Sequence, residues 1–379
     1  MVSFNKFSLY IKKLYNKKII IVALLLIPLS LIFVNFFTSQ EHNSKRLITN
    51  ELIETNSALL QLERFSVFKK KFFIAYNEKQ SLVYAVKRQE GLIHQISLDL
   101  SRKYWPFIEF LVQKPIALPE INSRENLFVL DLAFDNDRIY LSFVSDISKD
   151  GNCNYTYLYE YNLYNKDWVQ LFQSTPCIPR LPFHDIGGKI SFNANSIFLS
   201  GGNIFTIHPN KVFVKNYKDL MMETNIYGSI VEINKKSLKN KKLSYGHRSP
   251  GGLFWDSSRN ILWQTEHGPI GGDELNIIEN NKDYGWPNVT YGVNYRTNPK
   301  KNSEFNTKYN THEDFKKPLH VWIPSVGVSG VGAISGNGEF SNHWGNDSLI
   351  VTSLKDRSLY RLHIKKNKFD LLRTDIYWR

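Results

Sequence analysis

A strand–turn–strand unit recurs along this chain, and it constrains the fold more than any other feature. LAFDNDRIYLSF (132–143), ISFNANSIFLSG (190–201) and LFWDSSRNILWQTE (253–266) each join two apolar strands through a polar turn. Aligned on Phe134, Phe192 and Trp255, the copies stand 58 and 63 residues apart. A looser fourth copy, GAISGNGEFSNHWGNDSLIVTSL, occupies 332–354. A period of about 60 residues with several short strands per unit describes a propeller blade with long loops. The chain beyond residue 40 is long enough for roughly five to six such blades. A pair of β-sandwiches would impose no such period. Aromatic residues make up 14% of the chain, with 25 Phe and 20 Tyr, a bias toward strands. In a propeller the ligand site lies at the mouth of the central channel, where the loops carry function.

Ahead of the repeats, residues 19–37 read IIIVALLLIPLSLIFVNFF, without a charge. As a helix this run spans about 28 Å, close to the hydrocarbon thickness of a bilayer. Lys6, Lys12, Lys13, Lys17 and Lys18 precede it with no acid among them. The positive-inside rule then keeps the N-terminus cytoplasmic and sends the remainder outward. No small-x-small cleavage site follows, so an uncleaved anchor is expected. The predicted organisation is a basic cytoplasmic tail (1–18), a transmembrane anchor (19–37), a linker (38–60) and a propeller (61–379) in the periplasmic or other extracytoplasmic space.

The formal net charge is +13. Part of it belongs to the N-terminal lysines and the remainder reads as solvating surface. No cluster of Lys/Arg interleaved with base-reading groups stands out, so no nucleic-acid partner is expected. Two cysteines are too few for a cysteine-built metal site. Cys153 and Cys177 flank a strand-like run, YTYLYEYNLY. In an oxidising compartment they could bridge a hairpin, or stand as two separate buried thiols.

The most informative block is 245–295. His247 and Arg248 precede a turn cluster, Ser249-Pro250-Gly251-Gly252. An arginine on such a turn can project into a channel and hold an anion in bidentate fashion, or can pair with a neighbouring surface acid. Glu266-His267-Gly268-Pro269 then opens a loop kept flexible by Gly271 and Gly272. Carbonyls without strand partners in such a loop are hard oxygen ligands suited to Ca²⁺. Asp273 and Glu274 follow, and Tyr284-Gly285-Trp286-Pro287 closes the unit.

The motifs GHRSPGGL, TEHGP, GGDELNII and DYGWPNVTYGVNY resemble those of the glucose/sorbosone dehydrogenase family of soluble quinoprotein aldose dehydrogenases. GGKISFNANSIFLSGG (187–202), WIPSVGVSG (322–330) and LIVTSLKDRSLYRL (349–362) extend the likeness over about residues 125–379. The resemblance implies an all-β fold, a six-bladed β-propeller, and pyrroloquinoline quinone with Ca²⁺ as cofactors. Arg248, Tyr295 and Lys355 match cofactor-contacting positions, and Arg379 the first of two arginines that grip the cofactor. Gly268 and Pro269 match the pair whose carbonyls bind the cofactor-linked Ca²⁺. Glu274 and Tyr284 match a second Ca²⁺ site, where the tyrosine's main-chain oxygen is the expected donor. His184 matches the base that takes the proton from a sugar's anomeric hydroxyl.

Some positions depart from the family pattern: Ser249 stands for Asn, Gly251 for Gln, and Lys189 for Arg. Ser200-Gly201-Gly202-Asn203 replaces a segment that carries an acid. The family continues past TDIYWR with further arginines and closing strands, so the last blade is expected to be incomplete. The resemblance implies a membrane-anchored enzyme oxidising aldose sugars and passing electrons to a respiratory acceptor. The departures keep a second reading open, a catalytically degenerate propeller that binds a saccharide or a protein.

Overall fold

The computed structural model describes residues 47–54, 59–65, 72–88, 91–97, 111–119, 127–145, 154–175, 186–203, 226–293, 312–334, 339–364 and 368–372. The candidate anchor 19–37, Cys153 and Cys177 lie outside these residues. No helix among the described residues is long and apolar enough to cross a membrane.

Two strands, β1 (Leu47–Glu54) and β2 (Leu59–Phe65), pair as an antiparallel hairpin. β1 falls inside the span read as a linker. Five four-stranded antiparallel blades follow. Blade one is β3 (Phe72–Asn77), β4 (Leu82–Lys87), β5 (Leu92–Ser97) and β6 (Leu111–Ala117). Blade two is β7 (Phe128–Asp135), β8 (Arg138–Ser145), β9 (Tyr155–Asn162) and β10 (Asp167–Gln173). Blade three is β11 (Gly187–Phe192), β12 (Ser196–Gly201), β13 (Ser229–Asn234) and β14 (Asn240–Tyr245). Blade four is β15 (Pro250–Asp256), β16 (Ile261–Glu266) and β17 (Asp273–Ile278), completed by β19 (His320–Trp322). Between β17 and β19 the chain detours through β18 (Lys282–Asp283), which adds in parallel to the edge of blade three beside β14. Blade five is β20 (Val328–Ala333), β21 (Ser348–Ser353), β22 (Leu359–His363) and β23 (Lys368–Leu372). A short helix, α1 (Glu339–Trp344), lies between β20 and β21. Thus five blades, not six, are present among the described residues.

The recurrent polar turns do what their residues favour. Asn136 and Asp137 both adopt positive φ, 45° and 64°, in the two-residue loop between β7 and β8. That conformation matches the twist of the flanking strands, and Asn and Asp tolerate it. In blade three the Asn193 side chain accepts from the amides of Asn195 and Ser196 at 2.9 and 2.7 Å. Asp256 plays that part in blade four, accepting from the Ser258 amide at 3.1 Å.

The first strands of neighbouring blades, β3, β7, β11, β15 and β20, touch in succession, so they form the inner wall of the arc. Period-two alternation sends their side chains to the two flanking interfaces. In β8, Ile139, Leu141 and Phe143 pack toward blade one, whereas Tyr140 and Val144 pack toward blade three. Each blade interface holds its own apolar cluster. Trp263, Val351 and Leu362 fill the one between blades four and five. Register shifts interrupt β7, β11, β15 and β20 near their first residues, on one face of the arc. Such bulges turn side chains out of the alternation. Here they coincide with the channel mouth, where Asp131, Lys189 and Arg248 are found.

Candidate active site at the channel mouth

The 282–286 segment builds one wall of the site. Tyr284 and Trp286 donate their amides to the carbonyls of Tyr245 and Gly246 at 2.9 and 3.0 Å, extending the β18 pairing. A Cβ on Gly246 would lie 2.6 Å from the Gly285 amide nitrogen, and φ there is +78°, so only glycine fits. This close approach lays the Tyr284 ring on His247, with centroids 4.5 Å apart, and brings the Trp286 ring within 5.4 Å of the Arg248 guanidinium.

Arg248 is buried, with 5% of its surface exposed. Its amide donates to Glu266 Oε2 at 2.8 Å, and its Nη1 donates to the carbonyls of His267 and Gly268, both at 2.9 Å. The sequence left an alternative in which the arginine pairs with a surface acid. The structure instead aims it at the TEHGP loop, held by carbonyls and an indole face.

Behind it, Glu266 on β16 and Glu274 on β17 are directly paired across the strands, and both are buried. Asn276 Nδ2 donates to Glu266 Oε1 at 3.0 Å and to Glu274 Oε2 at 3.2 Å. His247 Nδ1 lies 3.5 Å from Glu266 Oε1, and its Nε2 shares a 2.9 Å hydrogen bond with Ser244 Oγ. Burial and the neighbouring Glu266 charge push the Glu274 carboxyl well above its usual range. Burial acts on Glu266 too, yet the nearby His247 ring and the hydrogen bond from the Arg248 amide outweigh it and hold that carboxyl low. Two buried carboxyls in contact cannot both ionise alone, so one proton or one cation belongs between them. The cavity lined by Arg248, Glu266, Gly268, Glu274, Tyr284 and Trp286 has room for about one water-sized body, about 10 Å³.

Asp273 ties this loop to blade five. Its Oδ1 accepts from the Gly268 amide at 3.1 Å and Ser325 Oγ at 2.8 Å, and its Oδ2 accepts from the amides of Gly327 and Val328 at 2.7 and 3.2 Å. Lys355 Nζ donates to the Ser325 carbonyl at 2.9 Å. Asp273 therefore fastens the Gly268 loop to the 325–328 segment, on which Lys355 in turn rests. Pro269 is buried against Gly292, where a Cβ would meet its ring at 2.9 Å.

Of the positions read from sequence, Arg248, Gly268, Pro269, Glu274 and Tyr284 gather in one place, and Lys355 is linked to them through Ser325, which Asp273 holds. His184, Tyr295 and Arg379 lie outside the described residues. The Tyr284 hydroxyl donates to the Ile277 carbonyl and accepts from the Glu279 amide, so it is committed to main-chain groups. Glu266 and Asp273 were not singled out as site residues, although both bear on its architecture. A signal for Glu266 was present, since a hairpin centred on Ile270 places it opposite Glu274.

The pattern of the Glucose / Sorbosone dehydrogenase family matches residues 118–376. The chain belongs to that family. Over 125 residues it is 34% identical to the aldose sugar dehydrogenase YliI of Escherichia coli, a stretch covering 33% of this chain and 32% of that protein. An uncharacterized protein of Synechocystis is 35% identical over 124 residues, 33% of this chain and 28% of its own. The aligned stretches thus span about a third or less of these relatives. Among solved structures, the apo-form of the soluble aldose sugar dehydrogenase of Escherichia coli superposes with a TM-score of 0.60 at 20% identity, covering 87% of this chain and 88% of that one. The PQQ-bound aldose sugar dehydrogenase of Streptomyces coelicolor gives 0.52 at 17% identity, covering 87% and 85%. At such identities these structures speak for the propeller fold.

Proposed function

We propose that this protein oxidises aldose sugars with pyrroloquinoline quinone and Ca²⁺, on a propeller completed to six blades and held outside the cytoplasm by the 19–37 anchor. The observation that carries the reading is the buried Arg248, clamped on the Gly268 loop beside the Glu266–Glu274 pair. It falls within the motifs the family shares.

The residues fit a calcium ion in donor chemistry. Among the described residues, no three His, Cys, Asp or Glu side chains gather in metal-holding geometry. A cation here would take two carboxylates plus neutral oxygens, a set that favours a hard ion over zinc. Asn276 Oδ1, buried with no hydrogen-bond partner, would become one such oxygen once the amide turns over, because Nδ2 is the atom that now meets both carboxylates. The main-chain oxygen is what Tyr284 has left to offer.

Arg248 and Lys355 supply positive charge for a carboxylated quinone. Their present carbonyl partners hold them in place and are exchangeable for stronger, charge-assisted ones. The cofactor, when bound, supplies the two-electron acceptor. The chain's own part is to hold the sugar and remove its proton. A neutral His184 imidazole takes the proton from the anomeric hydroxyl, as suits a histidine near neutral pH. Arg248 and Lys355 hold the anion, Tyr295 and Arg379 add contacts to it, and the carbonyls of Gly268 and Pro269 offer ligands to the cofactor-linked cation. A respiratory acceptor would receive the electrons.

Titrating the purified chain with pyrroloquinoline quinone and Ca²⁺ tests this reading. A bound-quinone spectrum and aldose-dependent dye reduction are expected. A chain that binds no quinone yet retains saccharide would be the degenerate binding module instead. For the anchor, protease added to intact spheroplasts should degrade the propeller. Protection until lysis would place the domain inside.

A further inference from the structure

Where blades one, two and three meet lies a second group of cations. Arg88, at the end of β4, sits with its guanidinium carbon 4.4 Å from the Phe128 ring centroid and 5.5 Å from that of Phe73. Its carbonyl accepts from the Val129 amide at 2.8 Å, which pins this corner of blade one to blade two. Lys189 reaches in from blade three, with Nζ 5.1 Å from the same Phe73 centroid. Three blades therefore converge here. Lys189 lies 3.5 Å from Asp131 Oδ1 and donates to the Leu130 carbonyl at 3.2 Å. Arg88 remains open to solvent, and among the described residues its guanidinium has neither an acid nor a hydrogen-bond acceptor. Asp131 thus pairs with Lys189 and leaves Arg88 without a carboxylate among the described residues.

An aromatic shelf fixes the plane of a guanidinium but leaves its edge N–H donors unsatisfied. That edge suits the planar fork of a carboxylate or the oxygens of a phosphate. Lys189 follows Gly187-Gly188 at the start of β11, the strand that His184 precedes in sequence. Lys189 and the candidate base are thus close in sequence, while Arg248 and Lys355 belong to blades four and five.

We infer that Arg88 and Lys189 form a subsite for the anionic group of an acidic monosaccharide. The substrate class is then a sugar acid or a phosphorylated sugar rather than a neutral aldose. This inference rests on the proposed sugar oxidation for its functional meaning, but its binding test does not.

The test is calorimetric titration of the full chain, without cofactor and at low salt, with glucuronate, glucose 6-phosphate, glucose and inorganic phosphate. At least one of the acidic sugars should bind about tenfold or more tighter than glucose, a difference of one good charged contact. The better of the two names the anionic group. Arg88→Gln should erase the preference while leaving quinone affinity unchanged, and Arg88→Lys should keep part of it. Arg88 is at the surface, so a melting curve like the parent's is expected for both variants. Glucose binding as tightly as both acids would overturn the subsite, as would full preference retained in Arg88→Gln. Inorganic phosphate binding as well as the preferred sugar would remove the saccharide from the assignment. If acidic sugars bind but no quinone does, the dehydrogenase reading fails and the subsite stands.

Discussion

Glu266 and Glu274 face each other across β16 and β17, both buried, with one Asn276 amide nitrogen 3.0 and 3.2 Å from their oxygens. Like charges directly opposite in a sheet are destabilising, and burial magnifies the conflict. Something positive must resolve it.

Calcium should raise the melting temperature and a strong chelator should lower it, because an ion held only by the native state stabilises by mass action. At a hundredfold excess over its dissociation constant the gain is about 2.7 kcal/mol. Glu274→Gln removes the like charge and a ligand together, so its melt should be insensitive to calcium. Mass spectrometry finding no metal, with an unchanged melt in chelator, would leave a shared proton as the resolution.

Asp273→Ala should be costly out of proportion to its size. It strips acceptors from the amides of Gly268, Gly327 and Val328 and from the Ser325 hydroxyl. Unsatisfied buried donors cost roughly 1–3 kcal/mol each before water or local rearrangement recovers part, so a loss of about 2–4 kcal/mol is expected. Chemical denaturation measures it. Asp273→Asn, which keeps one acceptor oxygen, should lose less.

Burial depresses the pKa of His320 from 6.5 to about 4. The folded chain therefore resists a proton that the unfolded chain accepts. The resulting stability is complete above about pH 6.5 and drains away as pH falls toward 4. His320→Gln should flatten that part of the stability profile, read from denaturant midpoints at successive pH values.

Arg248→Ala and His184→Ala should fail differently. Without the guanidinium, quinone affinity goes first. Without the imidazole, cofactor stays bound while turnover drops about 10²–10⁴-fold, the usual cost of losing a general base. Parallel quinone titration and steady-state assays separate the two. Parent-rate oxidation by His184→Ala would move the base elsewhere.

Much of this architecture was legible because local chemistry repeats. The turns Asn136-Asp137, Asn193–Asn195 and Asp256–Asn260 announce their hairpins through residue type and spacing. Arg248, Gly268, Glu274 and Tyr284 were legible as motif positions. What the sequence could not display was register. The bulges near the starts of β7, β11, β15 and β20 depend on how neighbouring strands pair, and they leave no residue signature of their own. The Asp273 clamp joins groups more than 50 positions apart. The convergence of Arg88, Phe128 and Lys189 needs three blades in place before it exists. The loose fourth repeat also hid α1 inside what read as a strand turn.

The excursion through β18 has a mechanical meaning. Adjacent blades of a propeller otherwise slide on apolar faces that carry little directional information. Here blade four sends a strap back across its neighbour, so blades three and four cannot shear apart without first breaking the Tyr284 and Trp286 main-chain bonds. That pair should behave as one stiff sector, slow to exchange amide hydrogens. Breathing of the arc is left to the seams that no such strap crosses.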